Sequence, residues 1–546
     1  MDMCRMDRSR RRSVARLLAL GVVASLVTVT APGLIAEAGA QSFPTDDPVI
    51  RGIWMEGMDH SQLEALAQPL FDVIGPRLTG TPGMRAANEW AVSTLNGWGI
   101  EARNEQYGTW RGWQRGVSHV DLLAPRVRSL QAMLLAWSPG TDGPVEGGVV
   151  TLPDAEGAEA FRQWAPSTRG KFVLLSQPQA SCRPLSSYEE YGREGANDRE
   201  QERRTAAREA WSQRMEAYGL ERQEMVDALE TAGAAGFLTS YWTGGWGTNR
   251  IFSMAHAFGS MNRTVPAFDV SCEDYGLLYR LADAGQGPRV RALAEAEDLG
   301  DQPVANTIGM IRGSEHPEQY VILSAHYDSW DGGSGATDNG TGSLTMLEAI
   351  RILKTVYPNP KRTILIGLWA GEEQGLNGSR AFAADHPEVV AGMQALFNQD
   401  NGTGRVSTVS MQGLTGAGAH WGQWLSAVPP ELDGELDYRI PGSPSGGGTD
   451  HAAFICAGAP AFGVFSTRFH YFEYTWHTHR DTYDKLVWED LRTNAVLVAM
   501  LAYLASEDPE FVPRDRRVMP MNQDTGERRT WPECQDGARE TSERFR

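Results

Sequence analysis

Two histidines and four carboxylates stand out as donors suited to one chemistry. His326, Asp338, Glu373, Asp400 and His477 read as metal ligands, and Glu372 reads as a general base. Imidazole nitrogen and carboxylate oxygen hold borderline divalent cations, zinc foremost, with manganese and cobalt also compatible. A pair of such ions acidifies water and polarises a carbonyl, and a free carboxylate beside them moves the proton. The chemistry implied is metal-assisted hydrolysis.

Residues so far apart need a scaffold that gathers them. The run Tyr320 to Ala325 is continuously apolar and of strand length, and it ends in His326-Tyr327-Asp328. A strand covered on both faces reads this way. A second run, Thr363 to Ala370, ends in Gly371-Glu372-Glu373, and a third, Ala395 to Phe397, ends in Asn398-Gln399-Asp400. Open α/β sheets place their ligand sites outside the carboxyl ends of the strands. The glycine-rich loop Gly332 to Ala336 lacks the Lys and spacing of a phosphate cradle; it reads as the path that returns Asp338 to His326. The expected fold is α/β, a mostly parallel mixed sheet with helices on both faces.

Carboxylates crowded at one sheet edge raise each other's pKa unless cations compensate them. Two divalent ions would offset Asp338, Glu373 and Asp400. The last ligand falls in Trp476-His477-Thr478-His479, where residue chemistry alone leaves His477 and His479 both open. Asp450 and His451 follow the loop Gly446-Gly-Gly-Thr449, placed to overhang the site and contact substrate.

Elsewhere the chain divides. Residues 1–40 read as a signal peptide: six Arg precede an apolar stretch from Leu17, and Ala38-Gly39-Ala40 offers a cleavage site. The apolar stretch is shorter than a membrane span needs, so the remainder is expected to be exported, periplasmic or secreted, with no membrane span. Residues 41–130 open the main domain, with a helix over Met84 to Trp98 followed by an extended segment. Residues 131–300 show short β-like runs and read as a separate, mainly β insertion with a charged helical excursion near 189–230. Residues 301–508 carry the candidate ligands, and 509–546 form a polar tail, read as a peripheral wrap or a partly disordered segment. Of the cysteines left after signal removal, Cys182, Cys272, Cys456 and Cys534, the third sits in an apolar run and reads as a buried thiol; the pairing stays open.

A formal charge of -19 argues against nucleic acid as a partner. Nucleophilic serine hydrolysis is disfavoured because no G-x-S-x-G elbow occurs.

The segments HYDSWDGGSGATDNGTG, KRTILIGLWAGEEQGLNGSRAF, FNQDNGTG, GGGTDHAAF and WHTHRDTYDKL resemble the M28 metallopeptidases, and the carboxypeptidase Q-like members most. The resemblance runs from Val304 to about Pro509. It implies two zinc ions per chain, one held by His326 and Asp400, the other by Glu373 and His477, with Asp338 bridging. It also implies a cis peptide at Asp338-Asn339, Glu372 as base, a protease-associated-like identity for the insertion, and a homodimer. His479 would take a neighbouring or substrate-facing role. Asp328 would accept the second N–H of His326 and fix its tautomer. Where the family often has a Tyr before the last His, this chain has Trp476, so Tyr471, Tyr474 and His479 become candidates for the donor to the substrate oxyanion. The expected function is exopeptidase action on short peptides, with Arg468 and Arg480 near enough in sequence to meet a terminal carboxylate. The same scaffold serves two alternatives, a glutaminyl cyclase-type acyltransferase and a catalytically silent binding protein.

Overall fold

The computed structural model describes residues 43–544. The expected signal peptide lies outside them. Among the described residues, no helix is long and apolar enough to cross a membrane.

The opening helices are α1 (Pro48–Asp59) and α2 (Pro82–Gly97), the latter starting where the Thr81 side chain accepts a hydrogen bond from the Met84 amide. Its buried stripe of Ala87, Ala91 and Leu95 has the helical spacing read from the sequence. The extended segment is β1 (Glu101–Ala124), a strand of 24 residues. Next come β2 (Val145–Val150), β3 (Phe172–Leu174), β4 (Gly236–Thr239) and β5 (Ala267–Val270), then β6 (Arg289–Ile311) and β7 (His316–His326). The remaining principal elements are α3 (Thr341–Val356), β8 (Arg362–Trp369), α4 (Asn377–Asp385), β9 (Met393–Asn398), β10 (Val406–Ser410), β11 (Ala461–Ser466) and α5 (Trp488–Glu507).

These strands form one mixed sheet. Its central part runs β11, β9, β7, β8, with every neighbouring pair parallel, and β6 and β10 add antiparallel strands outside. All eight residues of β8 and all six of β9 are buried, because layers cover both faces. On one side α3 packs against α5, and Leu497, Val498, Met500 and Leu501 of α5 are fully or nearly fully buried. Each such side chain contributes about 1.5 to 3 kcal/mol on burial.

The 131–300 region departs from expectation. Its strands lie close to where the sequence put them, but helix outweighs strand, with Ala196–Ala217, Arg222–Ala232 and Cys272–Asp283 the longest pieces. The reason is topological: β2, β3, β4 and β5 pair in parallel, and parallel neighbours require crossover connections that helices supply. The region is also not walled off. The long strand β6 pairs with β2 near its start and with β8 at its end, while β1 runs antiparallel along its length. The charged excursion is helical as read, and in Ala196–Ala217 only Glu200 is buried.

Both disulfides close within the described chain, Cys182 with Cys272 and Cys456 with Cys534. Cys456 is therefore not a free core thiol. Its local apolar run gave no sign that the tail returns to it.

Candidate metal centre

The carboxyl ends of β7, β8 and β9 lie side by side in register, since Trp369 pairs with His326 and Asn398 with Ser324. His326 ends β7, Glu372 and Glu373 follow β8, and Asp400 follows β9, so the parallel core delivers four of the candidates to one edge. Asp338 returns through the glycine loop, and its peptide to Asn339 is cis.

Asp338 sits at the middle of the cluster. Its Oδ1 lies 3.5 Å from His326 Nε2, which is 3.2 Å from Asp400 Oδ1. Its Oδ2 lies 3.3 Å from His477 Nε2, which is 3.0 Å from Glu373 Oε2. The five groups thus form two sets that share Asp338: His326, Asp338 and Asp400, and Asp338, Glu373 and His477. Geometry selects His477 over His479.

The electrostatics fit cations. Burial and the neighbouring Asp338 hold the Glu373 carboxyl well above its ordinary range, and burial with Asp400 and Glu373 nearby does the same to Glu372. Burial pushes His477 down to about 4, leaving a neutral imidazole. Asp338 Oδ2 and Glu373 Oε1 are buried without a hydrogen-bond partner. Burial opposes charge on His326, but Asp400 and Glu372 beside it raise its pKa well above the ordinary imidazole value, and such crowded, buried oxygens facing ring nitrogens are a donor set that positive ions would satisfy. One nitrogen and two carboxylate oxygens per set suit zinc.

Each donor set could hold a metal ion, at a cavity of about 970 Å³ lined also by Glu372, His451, Tyr471 and Trp476. The comparisons with known proteins agree. Residues 306–502 match the family model Peptidase family M28. The matched segment contains all five clustered ligand candidates and Glu372.

Carboxypeptidase Q of Bos taurus is 26% identical over 448 residues, 82% of this chain and 85% of its own length. A crystal structure of a peptidase M28 precursor from Shewanella amazonensis superposes with a TM-score of 0.61 at 21% identity, over 85% of this chain and 97% of that one. The zinc aminopeptidase BSAP of Bacillus subtilis gives 0.50 at 18% identity, over 84% and 94%. The chain is a metallopeptidase by these relationships.

Three residues do not sit as the sequence suggested. Asp328 is fully buried, but His326 Nδ1 meets the Asp328 backbone carbonyl at 3.0 Å, with the carboxylate farther away at 3.6 Å. That carboxylate instead accepts the backbone amides of Glu372 at 3.1 Å and Glu373 at 3.3 Å, holding the loop that carries them. His479 is turned out of the metal cavity: its Nδ1 accepts the Asn249 amide at 3.1 Å and its ring lines a separate hollow beside Ser118 to Met133. A backbone partner two hundred residues away has no local signature. Asp450 is buried behind the cavity wall, and burial raises its carboxyl to about 7. His451 does line the cavity, and burial lowers it to about 4.

Of the oxyanion candidates, Tyr471 lines the cavity, whereas Tyr474 faces a neighbouring one. Burial and the charges of Asp338 and Asp400 raise the Tyr471 hydroxyl well above its usual range, keeping it protonated.

Two further positioning residues escaped the sequence reading. Asp481 accepts the amides of Thr337 at 2.7 Å and Asp338 at 2.9 Å, fixing the bridging ligand through its backbone. It stands in the same motif as His477, which was the available clue. Arg77 is completely buried and donates to the carbonyls of Tyr327, Ser334 and Gly335 at 2.7 to 2.8 Å, pinning both ends of the glycine loop. Nothing in its local sequence marks it.

Proposed function

We propose that this protein is an exported exopeptidase that hydrolyses short peptides at a two-zinc centre, with Glu372 as general base. The observation that carries the reading is the placement of His326 and His477 on opposite oxygens of Asp338, each with a second carboxylate. His326, Asp338 and Asp400 would hold one ion and Asp338, Glu373 and His477 the other. Bound there, zinc supplies Lewis acidity toward the scissile carbonyl and lowers the pKa of water.

The protein's own groups do the rest. Glu372 faces the cavity without belonging to either ligand set. Its raised proton affinity suits a group that takes a proton from the attacking water and returns it to the leaving amine. Tyr471 donates to the oxygen on which charge develops, as a fixed donor in a dry site. Asp328 holds the Glu372 and Glu373 amides, so base and ligand keep a constant relation. Two closed disulfides support an oxidising compartment, periplasmic or extracellular. The names of the relatives, one a carboxypeptidase and one a zinc aminopeptidase, support exopeptidase action and zinc.

The test is Glu372→Gln in zinc-loaded protein. The variant should bind two zinc equivalents and lose about 10² to 10⁴ in kcat. Turnover near that of the wild type, or wild-type turnover that survives exhaustive chelation, would refute the assignment.

A further inference from the structure

The polar tail wraps the surface along a fixed path. It is stapled by Cys534 to Cys456, and Trp531 Nε1 donates to the Ile455 carbonyl at 2.9 Å. It then runs between the start of α4 and β1. Asn377 Oδ1 accepts the Ala538 amide at 3.0 Å, the Arg539 carbonyl accepts the Thr109 amide at 2.8 Å, and Thr541 Oγ1 accepts the Arg111 amide at 2.7 Å. Arg539 also forms a two-pronged ion pair with Asp385 at 2.7 and 3.0 Å. Two glycines make this path possible. A Cβ on Gly537 would come within 2.3 Å of the Asn377 carbonyl oxygen, and one on Gly108 within 2.2 Å of that of Arg539.

The path ends inside the active-site cavity. Gln535 and Arg544 line it together with Arg380, which projects from α4 and donates to the Gly375 carbonyl at 3.0 Å. The Arg544 guanidinium lies against Gly375, where a Cβ would sit 3.2 Å from its Cζ. Gly375 is three residues beyond Glu372. The same wall therefore carries the proposed base and two cations. Arg380 feels both influences: burial and the charge of Arg544 lower its pKa, while Asp450 and Glu372 raise it. Two like charges held together in a partly dry cavity attract an anion.

The chemistry of the leaving residue says which anion. In a dipeptide the α-carboxylate stands two bonds from the nitrogen that Glu372 protonates. A carboxylate-binding pair beside the base would seize that group. We propose that Arg544 and Arg380 form a carboxylate subsite, so that the C-terminal segment completes the active site and selects peptides by the free carboxylate of the residue released. This rests on Glu372 being the base. Of the two arginines expected from the sequence, Arg480 is engaged elsewhere, its Nε donating to the Gly247 carbonyl at 3.0 Å, whereas Arg468 lines the same cavity.

The test uses the zinc-loaded full chain with four substrates: Ala-Leu, Ala-Leu amide, Ala-Glu amide and leucine p-nitroanilide. Arg544 is the residue to change, because it is exposed and Arg380 supports the Gly375 loop. Wild type should prefer Ala-Leu to its amide. Arg544→Ala should lower kcat/KM on Ala-Leu by about 10- to 100-fold, the loss of a charge-assisted hydrogen bond, mainly through KM. It should leave the amide and the anilide within about twofold, and Arg544→Lys should recover part of the loss. Equal losses on acid and amide, or no loss on the acid, would overturn the subsite. An Arg544 dependence confined to Ala-Glu amide would move it to a side-chain carboxylate and overturn the terminal reading. Wild type inert toward all four would sink the peptidase assignment itself, and the subsite with it.

Discussion

Asp481 offers the sharpest test of how the bridging ligand is held. Its two carboxylate oxygens accept the Thr337 and Asp338 amides at 2.7 and 2.9 Å, and the group is buried. Asp481→Asn keeps the shape but turns an amino group toward one of those N–H donors. One charge-assisted bond, worth about 1.5 to 3 kcal/mol, is lost, and one buried amide is left unsatisfied. Asp338 serves both ligand sets, so any drift of its backbone is felt by both ions. Supporting groups around metal ligands typically contribute about 10- to 100-fold in affinity. The variant should therefore bind zinc more weakly by that factor at both positions. Competition against a chromophoric chelator reads this directly. Thermal melts with and without zinc add a second measure, because the zinc-induced rise in Tm shrinks as affinity falls. Zinc affinity within twofold of wild type, with an unchanged zinc-induced shift, would refute the idea that Asp481 positions the bridge.

Two other outcomes are expected. Tyr471→Phe should lower kcat by about 10²- to 10³-fold with little change in KM or zinc content, as removal of an oxyanion donor does; steady-state kinetics on a dipeptide reads it. Asp269, away from the metals, should give a pH signature. Burial raises its carboxyl to about 8, outweighing hydrogen bonds from the Tyr241 amide and the Thr239 and Asn249 side chains. With its folded pKa above the unfolded value of about 3.9, its contribution to stability is present below about pH 4 and is lost as pH rises through 8. Urea midpoints of Asp269→Asn should accordingly fall less steeply between about pH 4 and 9 than those of wild type.

The convergence of the five candidate ligands and Glu372 was legible because each follows an apolar strand run or a motif, and parallel strands leave little freedom about where their ends meet. The register of β7, β8 and β9 turns that pattern into distances. The 131–300 region was harder. Its strands of three to six residues carry too little alternation to show that they pair in parallel, so the crossover helices between them were not weighed. The Cys456 partner and the tail's path were hidden because both depend on contacts between segments remote in sequence.

What sequence reading most consistently missed is the second use of a buried carboxylate. Asp328 and Asp481 resemble ligands by type, burial and nearness to ligand residues, yet both spend their oxygens on backbone amides: Glu372 and Glu373 for one, Thr337 and Asp338 for the other. The proposed base Glu372, the shared Asp338 and the candidate ligand Glu373 are thus held by their main chain, which leaves their own side-chain oxygens free. A carboxylate that had to anchor its own loop could not also present both oxygens, and Asp338 must present both to face two imidazoles at once. The division of labour follows from that requirement.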